Sequence, residues 1–145
     1  MLKKFLQTDN AKTTLLIRLM TGAVFLSEGI QKFLFPALRG AGRFESIGLP
    51  SPELLASFVG AFEILCGVLV LLGLLTRFGS IPLLIIMMVA FITTKYPILI
   101  EKGFWVMFHD YRTDFAMTLG SIFLLIKGGG YWSLDKVLFN KKPKQ

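Results

Sequence analysis

The chain has 145 residues, 54% of them hydrophobic and 17% charged, with a mean hydropathy of +0.66. A soluble domain of this length needs about a quarter of its residues charged, and without them it leaves large apolar patches in water. The composition argues against a soluble enzyme, a disordered chain and a fibrous repeat, and favours a small integral membrane protein.

Four apolar blocks follow in chain order, each close to the ~20 residues that cross ~30 Å of hydrocarbon. The first spans 13–35 and is interrupted by Arg18, Glu28 and Lys32. Arg18 lies near one end and is expected to snorkel to the interface. Glu28 and Lys32 stand four residues apart in the favourable order for an ion pair along one helix. Breakers at Pro36, Gly40, Gly42, Gly48, Pro50 and Pro52 make 36–52 a loop.

The second block, 54–75, carries one charge inside its apolar run, Glu63. Ten residues from Glu53, it lies roughly 15 Å deep, near the midplane. A charge there costs about 2.5–3.5 kcal/mol on insertion scales, so Glu63 must face other helices. Gly60 and Gly67 share its face and admit a close neighbour. Cys66 is read as a buried, inert thiol. A tight turn over 76–80 leads to the third span, 78–95, where Met87 and Met88 read as packing residues.

A second loop, 96–110, carries His109 beside Asp110, which reads as a surface histidine. The fourth span, 111–127, begins with Arg112 and Asp114, and Asp114, Thr118 and Ser121 form a polar stripe. Gly128, Gly129 and Gly130 end it, Tyr131 and Trp132 belong to an interfacial belt, and 131–145 is read as a solvated tail.

Ten Lys and Arg fall on the side of the termini and the 76–80 turn, against six on the other. The positive-inside rule puts both termini in the cytoplasm. The fold expected is all-α, an integral membrane four-helix bundle forming one domain. Its candidate ligand site is a polar cavity toward the outer side, made of Glu28, Lys32, Glu63, Lys95, His109, Arg112 and Asp114.

One histidine excludes a bis-histidine haem, and one cysteine excludes a disulfide or thiol pair. Zinc ligands are lacking, as are a P-loop and a dinucleotide fingerprint. No metal is expected, and the basic residues suit lipid headgroups rather than nucleic acid.

Several segments resemble the DoxX family of small membrane proteins. They are Arg18-Leu19 with Gly22, Phe25, Gly29 and Lys32; Gly42-Arg43-Phe44-Glu45; Gly48-Leu49-Pro50; Phe58-Val59-Gly60 with Glu63 and Gly67; and Gly73-Leu74 before Thr76-Arg77. Thr93-Thr94-Lys95, Gly103-Phe104-Trp105 and Arg112-Thr113-Asp114-Phe115-Ala116-Met117 complete the set. The resemblance implies a bacterial cytoplasmic membrane subunit near quinone and thiol redox chemistry or in oxidative-stress defence, acting with a redox-enzyme partner or as a homo-oligomer. A quinone is the cofactor so implied. The other reading is a non-catalytic scaffold or a small-molecule permease.

Overall fold

The computed structural model describes residues 6–140. Lys3, Lys4, Lys141, Lys142 and Lys144, which enter the charge count, lie outside the described residues. Among the described residues every regular element is helical. The elements are α1 (Thr14–Leu34), α2 (Ala41–Ser46), α3 (Pro52–Leu72), α4 (Thr76–Ala90), a π-turn (Phe91–Lys95), α5 (Tyr96–Lys102), α6 (Phe104–Lys127) and α7 (Leu134–Phe139). Pro52–Leu72 and the continuous run Thr76–Lys102 are each long and apolar enough to cross a membrane.

Helix α1 packs along α3, α3 against α4, α4 against α6, and α6 against α1. The α1–α3 contact is the closest, and two antiparallel glycine pairs make it so. A Cβ on Gly67 would fall 2.8 Å from the Leu26 amide nitrogen and 3.1 Å from the Gly22 carbonyl oxygen. A Cβ on Gly29 would fall 2.7 Å from the Gly60 carbonyl oxygen. Close backbone contact of this kind gains dispersion along the interface.

Three sequence expectations change at the helix ends. The turn lies at Gly73–Leu75 rather than 76–80, and α4 begins at Thr76. Gly73 and Leu75 both have positive φ, 66° and 48°. The left-handed conformation is unfavourable for leucine. It is held by the Asp135 carboxylate, which accepts from the Leu75 amide at 2.6 Å and the Thr76 amide at 3.0 Å. The expected 96–110 loop is mostly helix. Pro97 supplies no N–H to Thr93, and the chain relaxes through the π-turn into α5. There the Thr93 and Thr94 hydroxyls donate back to the Val89 and Ala90 carbonyls at 2.8 and 2.6 Å. Gly103, at φ 84°, then reverses into α6, which starts seven residues before position 111.

The third change is at the termini. The described part of the tail is packed, not solvated. Thr8 N–H donates to Asn140 Oδ1 at 3.1 Å, Asn140 Nδ2 donates back to the Thr8 carbonyl at 3.0 Å, and Tyr131 N–H reaches the Ala11 carbonyl at 3.1 Å. Ser133 caps α7 by accepting from the Lys136 amide. Arg18 does not snorkel. It is buried, and its guanidinium donates to the Val70, Leu71, Gly129 and Trp132 carbonyls. The returning C-terminal segment covers the place where an interfacial arginine would meet headgroups.

The glycine contacts give a paired test. Gly67→Ala must push backbone against backbone and is expected to cost about 1–3 kcal/mol. Gly79→Ala adds a Cβ at 3.7 Å from its nearest neighbours, an ordinary contact, and should be neutral or gain up to ~1 kcal/mol of helix propensity. Unfolding midpoints in detergent measure both, and equal effects would refute close α1–α3 packing.

Candidate functional site

Within this frame the seven candidate residues fall into two groups. The first lies where α1 crosses α3. The Cβ position of Gly29 meets the Glu63 side chain, and that of Gly60 meets Lys32. Each glycine thus sits beneath the charged residue of the other helix. Lys32 Nζ reaches Glu63 Oε2 at 2.6 Å, with side chains only 10% and 5% exposed. The expected Glu28–Lys32 pair is not formed: Lys32 turns across the helix interface to the more buried acid. Glu28 is half-buried, forms no ion pair among the described residues, and acts on Glu63 as a like charge.

The second group lies at the π-turn. Lys95 Nζ stands 3.4 Å from Asp114 Oδ2 and donates to the Asp110 carbonyl at 3.0 Å. The π-turn aims Lys95 at α6. Asp114 is one turn from Thr118, whose hydroxyl donates to the Asp114 carbonyl at 2.7 Å and lies 3.5 Å from the Tyr111 hydroxyl. This pair is more open, at 16% and 29% side-chain exposure. Arg112 and His109 are exposed on α6. Arg112 donates to the His109 carbonyl at 2.9 Å, so His109 is a helical surface residue rather than a loop residue.

Two grooves open on the surface, and neither is lined by any of the seven. One, about 450 Å³, runs between α4 and α6 and is lined by Met87, Met88, Phe91, Tyr111, Phe115 and Thr118 among others. Thr118 joins it to the Lys95–Asp114 pair. Among the described residues no group of three or more His, Cys, Asp or Glu could hold a metal ion. Cys66 is buried and free.

The sequence reading missed one constellation, the Arg18–Asp135 clasp at the opposite end. The available signal was an arginine inside an apolar block and a single acid in the C-terminal segment. The buried hydroxyl of Thr21 also went unnoticed, and Ser121 entered only as part of the polar stripe on the fourth span. Neither hydroxyl has a hydrogen-bond partner among the described residues.

Residues 13–96 match the DoxX family. The chain belongs to that family. It is 50% identical over 141 residues to "Uncharacterized membrane protein Rv3486" of Mycobacterium tuberculosis, covering 93% of this chain and 86% of the relative. It is 34% identical over 132 residues to "Putative oxidoreductase CatD" of Bacillus subtilis, covering 89% of each. No solved structure matches. Exposed leucine, isoleucine and phenylalanine side chains run along α1, α3, α4 and α6.

The two groups differ in what they cost to disturb. Among the described residues Glu28 has no ion-pair partner, and Asp114 is partly solvated. Glu28→Gln and Asp114→Asn are therefore each expected to change stability by less than about 1 kcal/mol. Thermal unfolding in detergent measures this. A loss near 3 kcal/mol for either would mean that its carboxylate belongs to a buried pair.

Proposed function

We propose that this DoxX-family protein is a multi-pass subunit of the bacterial cytoplasmic membrane that serves the quinone- or thiol-linked redox chemistry of a partner enzyme. In this reading α1, α3, α4 with its extension, and α6 are the four spans of a bundle. Both termini face the cytoplasm. The juxtaposed Thr8 and Asn140 and the surplus of basic residues at that end support this orientation. The name of the Bacillus relative supports a redox association.

The observation that carries the proposal is the Lys32–Glu63 pair at 2.6 Å in the α1–α3 interface. A buried carboxylate is retained at a cost unless it pairs or changes protonation. Uptake of one proton by Glu63 neutralises it and frees the Lys32 ammonium, and release restores the pair. The electrons remain with the partner. The ligand class that suits this chemistry is a quinone head group or a small anion. The more open place for a head group is beside Lys95 and Asp114, where the apolar groove with Thr118 and Tyr111 would take an attached tail. Cys66 has no second thiol in this chain, so thiol exchange belongs to the partner.

The near-closed Lys32–Glu63 contact also favours a second reading, in which the pair only fixes helix register in a scaffold or permease. Complementation separates the two. In a strain lacking the gene and sensitive to oxidants, the native chain restores resistance. Glu63→Gln is expected to accumulate in the membrane yet restore less than about a tenth of the resistance, since losing one proton-transfer group costs roughly a hundredfold or more. Full rescue by Glu63→Leu would remove the proton-carrying role and leave the register reading.

A further inference from the structure

The end of the molecule that holds the termini carries a surface that neither the redox reading nor the family match uses. Among the described residues five Lys and Arg lie there, Lys12, Arg18, Arg77, Lys127 and Lys136, with two acids, Asp9 and Asp135. The opposite end holds six basic residues against seven acids. Asp135 is buried and already bound by two backbone amides. Arg18 is buried among carbonyls. Asp9 pairs with Lys127 at 3.7 Å. Arg77 donates to the Ile126 carbonyl at 2.9 Å. Lys12 and Lys136 are left. Among the described residues neither forms an ion pair.

Their ammonium groups are nevertheless positioned. Lys12 Nζ lies 5.7 Å from the Tyr131 ring centre and 6.0 Å from that of Trp132. Lys136 Nζ lies 5.9 Å from the Tyr131 ring and donates to Asn10 Oδ1. Two cations therefore share one tyrosine ring. A cation over an aromatic face gains about 0.5–1 kcal/mol at an exposed site, so both are held near Tyr131 without an anion. Beside them α7 is two-faced. Asp135 points inward onto the start of α4, while Leu134, Val137 and Leu138, at i, i+3 and i+4, point outward. Val137 is 76% exposed and Trp132 is 56% exposed. Apolar side chains, an exposed tryptophan and unpaired lysines on one surface fit the boundary between acyl chains and phosphates.

We infer that this surface docks anionic phospholipid of the leaflet at the termini end. Leu134, Val137 and Leu138 enter the acyl boundary, and Lys12 and Lys136 clamp a headgroup phosphate over Tyr131. The inference is independent of the redox reading, because none of its residues belongs to the Lys32–Glu63 or Lys95–Asp114 groups.

The test uses the full chain in neutral detergent micelles. Phosphatidylglycerol is titrated in, phosphatidylcholine and glycerol phosphate serve as comparisons, and the unfolding midpoint is followed. Phosphatidylglycerol should raise the midpoint saturably, and the other two should not. One surface lysine adds attraction equivalent to roughly fivefold in affinity. Lys12→Gln and Lys136→Gln should each raise the half-saturating lipid concentration by about that factor, and Lys102→Gln should leave it unchanged. Each titration is read as the shift from that variant's own unliganded midpoint, since each variant loses a contact with Tyr131. Equal shifts with phosphatidylcholine, an equal shift with glycerol phosphate, or an unchanged titration in both variants would overturn the inference. So would a dimer of the native chain that Lys12→Gln with Lys136→Gln dissolves, since a second copy would then cover this surface.

Discussion

The close backbone approach of α1 and α3 is the constraint on which the rest of the arrangement depends. Gly22 meets Gly67 and Gly29 meets Gly60, each seven residues further along one helix and seven back along the other. Such spacing keeps a single face in contact over two turns. With no side chain on these glycines, Lys32 crosses above Gly60 and Glu63 crosses above Gly29. The ammonium and carboxylate are then brought to 2.6 Å deep in an apolar interface. A larger residue at either glycine would part the backbones and separate the charges, each then left with the desolvation cost of an unpaired ion.

The opposite end meets the same difficulty with backbone groups in place of a second charged side chain. The last carbonyls of α3 are left unsatisfied by the helix itself. Arg18 takes those of Val70 and Leu71 and also those of Gly129 and Trp132. The first amides of α4 are equally unsatisfied, and Asp135 binds those of Leu75 and Thr76. A cation at a helix C-terminus and an anion at a helix N-terminus each complement the backbone dipole. Together they fasten the N-terminal helix and the C-terminal segment to one turn. That leaves Leu134, Val137 and Leu138 exposed on the outer face of α7.

Much of this was legible in the sequence, but unevenly. Low charge content and long apolar blocks indicated helices rather than strands. A lone Glu63 between Gly60 and Gly67 had to face a neighbouring helix, and Lys32, Lys95 and Arg112 were the basic members of the candidate site. What periodicity could not say was which base. Sequence spacing favoured a Glu28–Lys32 pair within one helix, whereas burial of Glu63 on the glycine face decided for the pair across two. The Asp135 clasp joins positions 59 and 60 residues apart, beyond any local pattern. Arg18 was misplaced for the same reason, since its partners include carbonyls more than a hundred residues away. The π-turn was hidden because Pro97 reads as a breaker, while the helix passes it by slipping register.

The account rests most on Lys32 and Glu63 being partners inside the membrane domain. A double-mutant cycle with Lys32→Met and Glu63→Gln, read as unfolding free energy in detergent, tests that directly. Each single change leaves one buried group without its partner and is expected to cost about 3 kcal/mol. The double variant should lose clearly less than the sum, with a coupling of at least ~1 kcal/mol. Additive losses would contradict the pairing and, with it, the proton-carrying role of Glu63.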